Sequence, residues 1–189
     1  MRIAVIGTGN VGRTLGERWR IAGHDVTYGS RSAGNAGPGG APVVTVADAV
    51  AAAEVVLLAV PGPAVAEVVR ANGAGLAGKV VIDAVNRMGE AEVNSHADVA
   101  AGAPGAHYAR AFNTLGWENF ADPQPGSQLF FVADPAARPV TEELITTVGL
   151  EPVFVGDAKA AGIVDGLLPL WFTLAQQYGN RKLAFRLVR

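Results

Sequence analysis

At 189 residues, 50% of them hydrophobic and 17% charged, the chain suits one well-packed domain with a small appendage and excludes a disordered one. A net charge of −2 offers no electrostatic footing for nucleic acid or an anionic membrane, and the absence of cysteine excludes thiol catalysis, disulfides and cysteine metal sites. Met1 leads almost directly into an apolar run with no room for a signal peptide, so a cytoplasmic protein is expected.

Residues 2–6 read as a buried strand that runs straight into Gly7-Thr8-Gly9-Asn10-Val11-Gly12 and a helix over roughly 10–22. This is G-x-G-x-x-G in its dinucleotide-binding context: Gly7 for the tight turn, Gly9 for close approach of a pyrophosphate, Gly12 for close helix–strand packing. The helix start supplies unpaired N–H groups and the positive end of a dipole to the phosphates. A second strand near 25–29 ends at Ser30-Arg31, where NAD binders usually place an acid. Arginine and serine there fit a 2′-phosphate instead, which points to NADP(H). Asp25 lies at the far end of that strand, and His24 reads as a turn residue beside it.

Residues 32–42, rich in glycine and with two prolines, read as a loop. A short strand follows at 43–45, then a helix over 46–53 and a strongly apolar strand over 54–60. Pro61-Gly62-Pro63 breaks that strand, and a helix runs to about Ala71. Further strands are expected at 79–84, 107–112, 128–133 and 152–155, with helices near 95–101 and 135–148 and a mainly helical last thirty residues. The apolar stretch from Gly166 to Ala175 is too short to span a bilayer and contains Pro169.

The implied fold is α/β: a Rossmann-type, doubly wound, mostly parallel sheet over residues 1–157, with a small helical segment over 158–189 packed on it. Polar and turn residues recur where strands end: Gly7-Thr8, Ser30-Arg31, Pro61, Asn86, Asn113-Thr114. Ligands of open parallel sheets bind in the crevice beyond those ends.

G-T-G-N-V-G, Y-G-S-R, L-L-A-V-P, D-A-V-N and A-F-N-T-L-G together resemble the F420-dependent NADP oxidoreductase family, and are similar to the cytoplasmic domain of six-transmembrane ferric reductases. The resemblance implies a dimeric Rossmann protein with NADPH lying across the strand ends. It implies that Thr8, Gly9, Asn10 and Val11 hold the pyrophosphate and that Ser30 and Arg31 hold the 2′-phosphate. Val60 and Pro61 would flank the path between adenosine and nicotinamide, and Asn86, Asn113 and Thr114 would surround the nicotinamide. The loop at 32–42 departs from the family in replacing an expected helix, and the C-terminal segment departs from the deazaflavin-binding members.

Hydride transfer between a nicotinamide and a flat deazaflavin needs stacked rings and excluded water rather than a protein nucleophile. No catalytic residue and no metal site is assigned, and His96 and His107 are not placed in the chemistry. Transfer from NADPH to coenzyme F420 is the expected reaction. Alternatives are NADPH-dependent reduction of a flavin, a ferric chelate or a small carbonyl or imine, and a non-catalytic NADP(H)-sensing module. Tyr178-x-x-x-Lys182 matches a short-chain dehydrogenase spacing, but Gly179-Asn180 between them is poor helix sequence. Leu167, Leu168, Leu170, Trp171 and Phe172 read as core or a dimer seam, with Trp171 and Phe172 alternatively walling a flat ring. Arg181, Lys182, Arg186 and Arg189 read as a cationic helix end or as an attraction for an anionic ligand tail. A homodimer built on the C-terminal helices, with a small-molecule redox acceptor and neither nucleic acid nor membrane as partner, is expected.

Overall fold

The computed structural model describes residues 1–32, 34 and 36–188, so Ala33 and Asn35 of the glycine-rich loop and Arg189 of the terminal cationic group lie outside the described residues. Eight strands form one sheet: β1 (Arg2–Ile6), β2 (Asp25–Gly29), β3 (Val43–Val44), β4 (Val55–Leu58), β5 (Val80–Asp83), β6 (His107–Arg110), β7 (Gln128–Ala133) and β8 (Glu151–Gly156). Their order is β3-β2-β1-β4-β5-β6-β7-β8, and every neighbouring pair is parallel except β6 with β7. The first six strands follow the dinucleotide-binding order, whose direction reverses between β1 and β4.

Buried strands made almost wholly of Val, Ile, Leu and Ala need cover on both faces. One face is closed by α1 (Asn10–Ile21) and, further along the chain, α6 (Arg138–Thr147), with Leu15, Trp19, Leu144 and Ile145 in its core. The other is closed by α2 (Val46–Ala52), α3 (Val65–Leu76) and α4 (His96–Gly102), around Val50, Val65, Val69, Leu76 and Val99. A four-residue helix α5 (Glu118–Ala121) after β6 has no counterpart in the sequence reading. Among the described residues the connection from β2 to β3 is helix-poor, as its glycines require, with one 3₁₀ turn at Pro38–Gly40.

The C-terminal segment begins at an Asp157-capped 3₁₀ turn (Ala158–Ala160) and continues as α7 (Ala161–Asp165) and α8 (Leu167–Tyr178). This run of 21 residues is longer than the apolar stretch marked in the sequence. Among the described residues it is the one helix long and apolar enough to cross a membrane by length and composition. Pro169 falls in the first turn of α8, where a missing N–H breaks no helical bond. Ala158 belongs to one core face and Trp171 with Ala175 to the other, so the segment crosses from face to face past the strand ends.

Residues 180–188 are not helical. Gly179 ends α8 in the left-handed conformation, separating Tyr178 from Lys182 and removing the shared helical face their spacing would need. The tail then folds back on α5 and β7. Asn119 Nδ2 donates to the carbonyl of Arg181 (2.9 Å), Trp171 Nε1 donates to that of Leu183 (2.8 Å), and Phe185 bridges to Gln128. Arg181 pairs with Glu118 at 2.8 Å and Lys182 pairs with Asp122, so these two cations hold the tail rather than cap a helix end.

Candidate functional site

The register places Gly29, Ile6, Leu58, Asp83 and Arg110 in one row across β2, β1, β4, β5 and β6. At strand spacing of about 4.8 Å this row is roughly 19 Å wide, matching an extended dinucleotide laid across the strand ends. The loops that leave it carry the residues that the sequence singles out.

At the centre, Gly7 leaves β1 with φ +115°, and a Cβ there would stand 2.3 Å from the carbonyl oxygen of Ala59. A Cβ on Gly12 would stand 2.2 Å from the oxygen of Gly7. Both glycines therefore serve packing. Gly9 differs: a Cβ on it would meet nothing within 4 Å, so its open side faces free space. Gly9 is the N-cap of α1 with no side-chain cap, and the first turn carries no acid. The N–H groups that open α1 at Asn10, Val11 and Gly12 thus lack a side-chain acceptor. Thr8, Gly9 and Asn10 are exposed. This cradle fits an anionic pyrophosphate.

Beside it, the Gly7 N–H reaches the oxygen of Gly29 (3.4 Å), which brings Ser30 and Arg31 next to the glycine turn. Ser30 Oγ accepts from the N–H of Ser32 (3.1 Å) and keeps its hydroxyl proton for another partner. Arg31 is exposed and makes no ion pair among the described residues. On the other side of β1, half-buried Val60 and exposed Pro61 lead into a 3₁₀ turn at Gly62–Ala64, close to Arg87.

The β5–β6 end holds a buried polar cluster that the sequence reading did not anticipate. Arg110 and Asp83 are fully buried and Asp165 is 7% exposed. Arg110 Nε donates to Asp165 Oδ1 at 2.8 Å, with Nη2 of the same guanidinium 2.7 Å from that oxygen. Nη1 lies 3.3 Å from Asp83 Oδ1 and donates to the carbonyl of Val85, and Nη2 donates to Asn86 Oδ1 at 2.8 Å. Asp83 also accepts from the N–H of Val85 (2.9 Å), the N–H of Ser95 (2.6 Å) and the hydroxyl of Tyr108 (2.8 Å). Burial, reinforced by the Asp83 carboxylate, holds the Tyr108 phenol well above its ordinary pKa, so Tyr108 stays a neutral donor.

Asn86, Asn113 and Thr114 do converge here, but unequally. Asn86 is half-buried and its Nδ2 donates to the carbonyl of Asn113 (2.8 Å). Asn113 and Thr114 are buried beneath it, 2% and 1% exposed, so they form the floor rather than the wall of the crevice. Asn113 Nδ2 donates to Asp165 Oδ1 (3.0 Å), leaving its Oδ1 buried without a donor among the described residues. The turn that presents Asn113 is strained. Phe112 has φ +62°, unfavourable by about 1–2 kcal/mol for a bulky side chain. Edge-on packing of its ring against Trp19 (5.7 Å) and Phe120 (5.6 Å) holds it there.

A cleft of about 660 Å³ opens alongside, between residues 91–96 and the α7–α8 segment, with Asn94, His96, Lys159 and Asp165 in its walls. Trp171 is buried in the core and Phe172 is 39% exposed. Trp171 therefore does not wall a ring site. No group of three or more His, Asp or Glu suited to a metal occurs among the described residues.

Residues 2–87 match the family model described as NADP oxidoreductase, coenzyme F420-dependent, the stretch that contains the glycine turn, Ser30-Arg31 and Asn86. Over that stretch the chain is similar to that family, and the chain is an NADP-dependent oxidoreductase. The fold agrees over the whole length. A candidate F420-dependent NADP reductase from Arthrobacter sp. FB24 superposes with a TM-score of 0.85 at 25% identity, each chain covered completely. A hypothetical protein from Sinorhizobium meliloti gives 0.74 at 27% identity, covering 100% of this oxidoreductase and 96% of its own chain. A reductive aminase from Aspergillus terreus in complex with NADPH and ethyl-5-oxohexanoate gives 0.73 at 20% identity. It covers 94% of this chain and 62% of its own, a likeness of fold.

Proposed function

We propose that this oxidoreductase transfers hydride between NADPH and coenzyme F420, a flat redox partner, and that it holds the cofactor along the strand ends as described. The observation that carries this reading is the pairing of an uncapped, acid-free α1 start at Gly9 with an exposed Arg31, at the end of the next strand, that makes no ion pair among the described residues. The first suits a pyrophosphate and the second a 2′-phosphate. When bound, NADPH supplies the hydride from the nicotinamide C4. The residues at the β5–β6 end are then required to orient a ring and keep water away, and none is required as a nucleophile. The cleft beside Asp165 is the natural place for the acceptor ring, since Asp165 in its wall accepts from Asn113 of the crevice floor.

Anaerobic absorbance assays of NADPH oxidation with F420, FMN and ferric chelates side by side test the acceptor. Turnover with F420 and none with the others is expected. Turnover with FMN or a ferric chelate alone would transfer the function to that acceptor, and no turnover with any of them would favour a sensing module.

We further infer a cytoplasmic homodimer that engages neither membrane nor nucleic acid. Ile163, Leu170, Phe172 and Tyr178 expose 68%, 48%, 39% and 65% of their surfaces on α7 and α8, apolar surface that a second copy would cover. Light scattering is expected to give twice the 19.4 kDa monomer mass. A monomer mass across a wide concentration range would contradict the assembly.

A further inference from the structure

Asp165 sits on the C-terminal segment, 52 residues beyond Asn113 in sequence, yet it is the hub of the polar cluster under the β5–β6 end. The four nitrogens that meet its two carboxylate oxygens are all donors from elsewhere in the fold. Oδ1 accepts from Arg110 Nε (2.8 Å) and Asn113 Nδ2 (3.0 Å) and lies 2.7 Å from Arg110 Nη2, while Oδ2 accepts from Asn94 Nδ2 (2.8 Å). Two consequences follow from chemistry alone. Because Asn113 meets a carboxylate, its amide has one permitted orientation, nitrogen toward Asp165 and oxygen away. Because Asp165 and Asp83 fix the Arg110 fork, Nη2 is aimed at Asn86 Oδ1, and Asn86 in turn is tied to the carbonyl of Asn113.

We propose that Asp165 is a positioning residue for the nicotinamide half of the cofactor: from α7 it locks Arg110 and Asn113, and through Arg110 also Asn86, at the crevice floor. This rests on the reading of the strand ends as the NADP(H) site and adds what holds its nicotinamide end. The C-terminal segment thereby becomes part of the cofactor site. An amide at position 165 cannot reproduce the arrangement. Whichever way it is turned, its own NH₂ faces either Arg110 and Asn113 or Asn94, all of them donors.

The test compares two ligands by isothermal titration. NADPH needs both halves of the site, whereas adenosine 2′,5′-bisphosphate needs only the glycine turn and Ser30-Arg31. Asp165→Asn is expected to weaken NADPH about tenfold while leaving the bisphosphate within about twofold of wild type. A merely structural role would move both ligands together. An equal loss of both, or no loss of either, overturns the inference. Should Asp165→Asn not fold, Asn113→Ala at the other end of the same hydrogen bond is expected to give the same split, and an equal loss of both ligands there overturns it. Wild type that binds neither ligand would overturn this inference together with the cofactor reading. Wild type that binds both, with no split in the variants, overturns the inference alone.

Discussion

Replacing Arg110 with methionine is expected to destabilise the fold by about 3–5 kcal/mol, the largest effect of any single side chain in the cluster. A buried ion pair is weak evidence for net stability, because the desolvation of its charges offsets much of their attraction. Breaking one is a different matter. Without Arg110, the carboxylates of Asp83 and Asp165 stay buried with no cation between them, and the carbonyl of Val85 and Asn86 Oδ1 each lose a donor. For a chain of this length the midpoint of thermal unfolding should fall on the order of 10 °C. Adding Asp165→Asn to Arg110→Met removes one of the stranded charges and should recover part of the loss. A melting point within a few degrees of wild type in the single variant would show that the cluster is not ionised and paired as described.

The glycine turn offers a second large effect, and here two neighbouring glycines should fail in different ways. Gly7→Ala places a Cβ 2.3 Å from a backbone oxygen, at a φ that L side chains rarely adopt. Since Ala59 belongs to the chain leaving the adjacent strand, β1 and β4 must shift, and a stability loss of about 2–4 kcal/mol is expected. Gly9→Ala meets nothing within 4 Å and has an extended backbone open to any residue, with φ −70° and ψ −178°. It should change stability by less than about 1 kcal/mol, the difference between glycine and alanine at an N-cap. Its methyl group projects into the open side where the proposed pyrophosphate contact would form, so NADPH affinity is expected to fall at least about tenfold. Thermal melts and NADPH titrations of the two variants decide this. Undiminished NADPH binding by a well-folded Gly9→Ala protein would remove the pyrophosphate from this turn.

Much of the fold is legible in the residues because its cause is local. The run Arg2–Ile6 followed by glycines at 7, 9 and 12 specifies strand, turn and helix through sterics that do not depend on the rest of the chain. The apolar strands β4 and β5 declare themselves as buried on both faces by composition. The reversal at β7 is not legible, because a strand pattern carries no direction. The direction was set by the turn at Phe112, α5 and the 122–127 connection, which together return the chain alongside β6. The last thirty residues are mainly helical, as expected, up to Tyr178. Gly179 marks the end of α8, but Asn180 to Val188 is held by distant partners on α5 and β7 that a local reading cannot see.

The site divides along the same line. Gly7 to Gly12 and Ser30-Arg31 stand out because the phosphate contacts proposed for them use backbone and charge at fixed spacings. The buried cluster does not. Asp83 and Arg110 each close an apolar strand and look like ordinary turn residues. The available signal was their opposite charge on strands expected to be buried, since a buried charge must find a partner. No such signal exists for Asp165, which reaches the cluster only because α7 crosses the strand ends.

We propose that Arg31, at the end of β2, reads the 2′-phosphate of this NADP-dependent enzyme's cofactor. Isothermal titration of wild type and Arg31→Ala with NADPH and NADH tests it. NADPH should bind wild type more tightly than NADH, and the substitution should narrow that gap by on the order of 1.5–3 kcal/mol, the worth of a charge-assisted hydrogen bond. Equal affinity of the wild-type protein for the two dinucleotides would contradict the claim.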